Sequence, residues 1–113
     1  MSAHLFPNRR ENTFVDNFKV DSRYIEATGD FLAGFILFQI VRIINEHESA
    51  CTKADGKRWL FIPPYDWEAS YKIGRTEYLR SVENLQRMGF IMTKGENMIR
   101  PNYKEIARKV RHA

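Results

Sequence analysis

The run Phe31–Ile44 constrains this chain more than any other stretch, because 11 of its 14 residues are apolar. A helix at a protein surface shows one apolar stripe, and this one shows two. Leu32, Ile36, Ile40 and Ile43 form the first stripe, and Phe31, Phe35 and Phe38 the second. Asp30 stands before the run as an N-cap, so a helix is expected over Phe31–Glu48. Gln39 and Arg42 interrupt the run, which is too short to cross a bilayer, so no membrane partner is expected. One stripe serves the core. The other must meet the terminal segments or a second subunit, which makes Phe31, Phe35 and Phe38 the candidate dimer contact.

A length of 113 residues suits one domain with its own core, and 43% hydrophobic with 28% charged residues is ordinary for a globular chain. A lone cysteine, Cys51, excludes an internal disulfide and fits a reducing compartment. Met1–Arg10 lacks the apolar segment of a signal peptide, and a cytoplasmic location is expected. The formal net charge of +4 is unevenly spread. Residues 1–50 hold 5 Lys/Arg against 7 Asp/Glu, whereas residues 51–113 hold 13 against 7. The basic half points to a polyanionic partner.

Residues 1–20 read as an N-terminal arm, with Arg9-Arg10 either frayed or touching a partner's phosphates and Phe18-Lys19-Val20 as a short entering strand. Residues 21–113 read as one domain. Asp21 caps a short helix, Ser22–Thr28, which Gly29 closes. Ala50–Arg58 is loop-like around the Asp55-Gly56 turn, and Trp59–Ile62 is a strand. Pro63-Pro64 opens a helix over Tyr65–Tyr71, with Trp67 and Ala69 or Ser70 inward. Phe90–Thr93 and Met98–Arg100 form a hairpin, and Tyr103–Arg111 a basic amphipathic helix.

Between them lies Lys72–Gly89. Ile73-Gly74 turns the chain, Thr76 is the expected N-cap of a helix over Glu77–Met88, and Gly89 stops it. At 100° per residue, Tyr78, Leu79, Val82, Leu85 and Gln86 share one side. Glu77, Arg80, Asn84 and Arg87 share the other, with Ser81 at the edge. Arginine and asparagine side chains on such a face can reach phosphates and base edges.

The order helix, strand, helix, turn, helix, hairpin is that of a winged helix-turn-helix domain. Gln39-Ile40, Trp59, Tyr65-Asp66-Trp67, Ile73-Gly74, Thr76 and Leu85…Gly89-Phe90-Ile91 together resemble the winged-helix domain of phage and plasmid replication-initiation proteins. The resemblance runs from Phe31 to Arg100. It implies an α+β fold of three core helices, a short β-hairpin wing and a C-terminal helix. It also implies double-stranded DNA as partner, with Glu77–Met88 in the major groove. Arg80 and Asn84 would then read base edges. Lys72, Arg75, Thr76 and Ser81 would hold phosphates, and Lys94 would reach a flanking phosphate from the wing. Transcriptional control, plasmid maintenance or replication initiation by a mobile element or its host is the implied role. Arg75 stands where the family carries a hydrophobic residue. The sequence ends soon after the wing, so it reads as a stand-alone binder or as a piece of a longer protein.

Other readings compete with this one. Arg80 could pair with Glu77 or Glu83, and Arg87 with Glu83, leaving the helix face merely solvated. The Phe stripe or the basic surface could dock a protein instead of DNA. Trp59, Phe61, Tyr65 and Trp67 are aromatic enough to stack on unpaired bases, although core packing is the simpler expectation. His47 and Cys51 sit at i,i+4 spacing without a second pair, so no metal is expected. No cofactor motif, nucleophile elbow or paired catalytic carboxylates occur, and no enzymatic activity is expected.

Overall fold

The structure, a computed structural model, describes residues 19–47, 51–95 and 97–110. The arm residues 1–18, with Arg9 and Arg10, lie outside the described residues, as do residues 48–50 and 111–113. Lys19 and Val20 have no regular structure, so no strand forms there.

Helix α1, Ser22–Thr28, starts where the Asp21 carboxylate accepts a 3.0 Å hydrogen bond from the Arg23 amide. It stops at Gly29, whose φ of 74° a side chain would resist. Helix α2, Phe31–Glu46, follows at once, its first turn held by a 2.8 Å bond from the Ala33 amide to Asp30 Oδ2. The two helices touch closely. A Cβ on Gly34 would lie 2.7 Å from the Ile25 Cα, so only glycine permits this crossing. Helix α2 ends two residues before the expected Glu48, with His47 as its C-cap.

The hairpin of β1, Cys51–Ala54, and β2, Lys57–Phe61, replaces most of the expected loop. Asp55 and Gly56 both take positive φ, 58° and 72°, which suits a two-residue hairpin turn between right-twisted strands. Helix α3, Pro64–Tyr71, opens with proline at its first position, where no amide is required. Helix α4, Arg75–Arg87, leads to the hairpin of β3, Ile91–Lys94, and β4, Met98–Pro101, and then to α5, Tyr103–Val110. All strand pairs are antiparallel, in the order β1-β2-β4-β3. The described residues thus form an α+β fold of five helices and one four-stranded sheet.

Helix α2 is the centre of the core. Ile36, Leu37, Ile40 and Ile43 are fully covered, together with Leu60, Trp67, Leu85 and Phe90 from the surrounding elements. Each aliphatic or aromatic side chain so buried contributes about 1.5–3 kcal/mol. On α3, Trp67 and Tyr71 point inward, but their companion is Asp66 rather than Ala69 or Ser70. The Trp67 and Tyr78 rings stack at 5.2 Å, joining α3 to α4. Buried Gln39 donates through Nε2 to the Lys19 carbonyl at 2.8 Å, while its Oε1 accepts from Arg42 Nε and the Tyr71 hydroxyl. These bonds satisfy a polar side chain in the middle of an apolar helix.

The Phe stripe is divided by the fold. Phe35 is buried edge-on against Tyr71, and Phe38 packs edge-on against Tyr24 of α1. Phe35 therefore cannot serve as a surface contact between subunits, and only Phe31 stands exposed. The apolar excess of α2 is taken up by α1 and α3. Among the described residues, no helix is long and apolar enough to cross a membrane.

Candidate nucleic-acid interface

The α3–α4 connection fixes how α4 is presented. Helix α3 ends at Lys72, a non-glycine residue with φ 60°, whose amide donates to the Glu68 carbonyl at 3.0 Å. Gly74 then runs extended and caps α4, so the helix begins at Arg75. Thr76 is therefore an exposed first-turn residue and not the N-cap. The Glu77 carboxylate folds back over the helix start, since a Cβ on Gly74 would meet Glu77 Oε1 at 2.5 Å. A carboxylate there sits favourably at the positive end of the helix dipole. Glycine leaves it the space.

The burial of α4 is rotated from the expected pattern. Tyr78, Ser81 and Leu85 point into the core, with Val82 half-buried beside them. Ser81 is thus withdrawn from the surface and cannot hold a phosphate; its small side chain fits where α4 lies against its neighbours. Leu79 and Gln86 turn outward, on the flank that faces the β3–β4 hairpin, and Gln86 Nε2 donates to Thr93 Oγ1 at 3.2 Å. Burial pushes the Tyr78 hydroxyl well above the usual tyrosine range, which keeps it neutral in the core.

The outward face carries Thr76, Arg80, Glu83 and Arg87, all exposed, with Asn84 half-buried at its margin. Among the described residues, Arg75, Arg80, Arg87 and Lys72 take part in no ion pair. The pairings with Glu77 and Glu83 that would have neutralised the face do not form. Several other cations are engaged within the chain. On α5, Glu105 binds Arg108 at 2.7 Å and Lys109 at 3.4 Å, and the Arg108 guanidinium holds the Glu105 carboxyl below its usual range.

Lys94 has a partner within the chain. Its ammonium is 2.7 Å from Asp55 Oδ2 in the β1–β2 turn and lies 6.0 Å from the Trp59 ring centre. Bonding to Lys94 holds the Asp55 carboxyl below the usual aspartate range. The hairpin cation is tied to the neighbouring turn and would have to leave Asp55 to meet a phosphate.

A groove of about 390 Å³ adjoins the α4 flank, lined by Pro63, Pro64, Tyr65, Arg75, Leu79 and Asn97. Tyr65 is 63% and Leu79 43% exposed, whereas Trp59 and Trp67 are buried. The aromatic cluster expected in the core is thus split, with Phe61 and Tyr65 outside. Helical spacing carries a signal for Tyr65: two residues before Trp67, it projects about 200° away from that inward ring. Among the described residues, no three His, Cys, Asp or Glu side chains cluster as a metal ion requires, and Cys51 Sγ lies 3.9 Å from the His47 carbonyl. Comparison of the chain with protein-family models, curated proteins and solved structures finds no match to any of them.

Proposed function

We propose that the chain is a winged-helix protein that binds double-stranded DNA, with α4 in the major groove and the β3–β4 hairpin as its wing. One observation carries this reading: Arg80 and Arg87 stand exposed on the outward face of α4 with no carboxylate among the described residues in ion-pair contact. A guanidinium presented so, one helical turn from Asn84, suits bidentate contact with guanine, and asparagine suits adenine. Lys72, Arg75 and Thr76 lie around the start of the same helix, where they would grip phosphates and fix its register. The order α2, α3, α4, hairpin supports the winged-helix assignment. Occupying a short duplex site would serve transcriptional control, plasmid maintenance or replication initiation. The protein is expected to act without a cofactor.

Duplex selection from a randomised pool, followed by anisotropy on the selected site, tests the reading. Replacing Arg80 with Ala should cost about 1–3 kcal/mol on the selected duplex and relax preference at one base pair. Ser81→Ala should leave affinity within about twofold, because that hydroxyl faces the core. Failure to retain any duplex at low salt would overturn the proposal.

A further inference from the structure

We infer that the groove beside α4 is a binding site for an unpaired nucleotide, its base stacked on Tyr65 and its phosphate on Arg75. The inference rests on the DNA reading above and adds to it a preference for duplexes that carry unpaired bases.

Three observations support it. Tyr65 and Leu79 put an aromatic ring and an apolar side chain into solvent on two different helices, and the prolines Pro63 and Pro64 complete an apolar wall. Tyr65 keeps 63% and Leu79 43% of its surface exposed. Arg75 lies four residues before Leu79 on the same flank of α4, so its guanidinium shares the groove with the apolar surface. Arg75 makes no ion pair among the described residues, and the nearby Glu77 carboxylate folds back on Gly74 instead. Asn97, from the loop before β4, lines the groove with an amide that can both donate and accept. An aromatic face, a cation and an amide in one cleft match the base, phosphate and base edge of a single nucleotide.

Location decides between a nucleotide and other occupants. The groove is lined by the start of α3, the Arg75–Leu79 flank of α4 and Asn97 of the β3–β4 turn. A strand held by Arg80 and Arg87 would pass beside Arg75. A paired base keeps both faces stacked in the duplex and offers none to Tyr65, whereas an unpaired base can swing out at a cost of a few kcal/mol or less. The charge complementarity is with a polyanion that already occupies the adjoining face.

The test uses the full chain and three fluorescent probes: a paired duplex, the same duplex with a central bubble of three mismatched thymines, and a thymine single strand. At low salt the bubble duplex should bind roughly tenfold more tightly than the paired one. Tyr65→Ala should abolish that ratio, and Tyr65→Phe should keep it, since the ring and not the hydroxyl does the stacking. An unchanged urea midpoint for both variants checks that the exposed ring is dispensable for folding. Equal affinity for paired and bubble duplexes, or a ratio that survives Tyr65→Ala, overturns the inference and leaves the duplex reading standing. A single strand bound through Tyr65 while neither duplex binds keeps the groove and overturns the duplex reading. If no probe binds, both fall, and a groove of this composition would belong to a protein segment.

Discussion

At the scale of single residues, two lysines carry contrasting costs. Lys72 holds a left-handed backbone at the end of α3, which disfavours any side chain with a Cβ by about 1–2 kcal/mol relative to glycine. Glycine is the residue that helix ends of this geometry select, so the lysine costs stability here. Lys72→Gly should therefore raise unfolding stability by about 1 kcal/mol in urea while weakening duplex binding. A variant that gains stability with no loss of affinity would remove Lys72 from the interface. Lys94 is held the other way, by an ion pair. On the duplex reading Asp55 would compete with a phosphate for its ammonium. Asp55→Asn keeps the positive-φ turn, which asparagine tolerates, and releases the lysine. Duplex affinity should rise roughly 2- to 5-fold, the scale of one exposed pair, and Lys94→Ala should erase the gain. The pH sign follows from the depressed Asp55 carboxyl. The pair is complete above the ordinary aspartate value of 3.8 and is lost as the pH falls through the lower folded value. Its contribution is therefore flat at neutral pH.

At the scale of elements, α1 and α2 behave as one clamped pair. Gly34→Ala ought to favour α2 on helix propensity alone, by up to about 1 kcal/mol. The added Cβ would instead strike the α1 backbone at Ile25 and Tyr24, atoms that no side-chain rotation can move aside. Overpacking of that kind costs about 1–3 kcal/mol, so net destabilisation is expected in urea titration, with α1 displaced and Phe38 uncovered. The same elements show what a one-dimensional pattern can and cannot carry. The capping aspartates, the proline start of α3 and the glycine stop after α4 place helices to within two residues, because each acts locally. Strand β1 was hidden: Cys51–Ala54 is a short edge strand with both middle residues exposed, so no apolar alternation marks it. Periodicity gave α4 the right axis and an imperfect rotation. Whether Ser81 or Leu79 turns inward depends on how closely the neighbouring elements approach, and serine fits the tighter gap. Which of the two fates the Phe stripe takes is set outside the helix, since the cover of Phe35 and Phe38 comes from Tyr71 and Tyr24 on other elements. The outward arginines were legible; their freedom from Glu77 and Glu83 depended on side-chain conformation.

At the scale of the whole molecule, the charge that matters is a local surplus. Residues 51–113 carry the basic excess, yet the α5 cations and Lys94 are partly spent on internal carboxylates. Lys72, Arg75, Arg80 and Arg87 remain as the cations grouped around α4 without such partners among the described residues. On the duplex reading Lys72 and Arg75 sit on phosphates while the outward arginines face bases, so two to three phosphate contacts predict that log K falls against log salt with a slope of about −2 to −3. Two copies bound to one site would roughly double that value, so sedimentation of the same samples is needed to read the slope. With Phe35 buried and Phe38 half-buried against Tyr24, Phe31 is the one fully exposed ring of the stripe. The stripe by itself therefore offers far less than the roughly 800 Å² per partner of a standard interface, and the smaller slope is the outcome expected if no other surface joins two copies. A slope near −1 would mean that the α4 cations stay hydrated in the complex. Arg80 and Arg87 would then be a solvated face, and whatever the molecule binds would be held elsewhere.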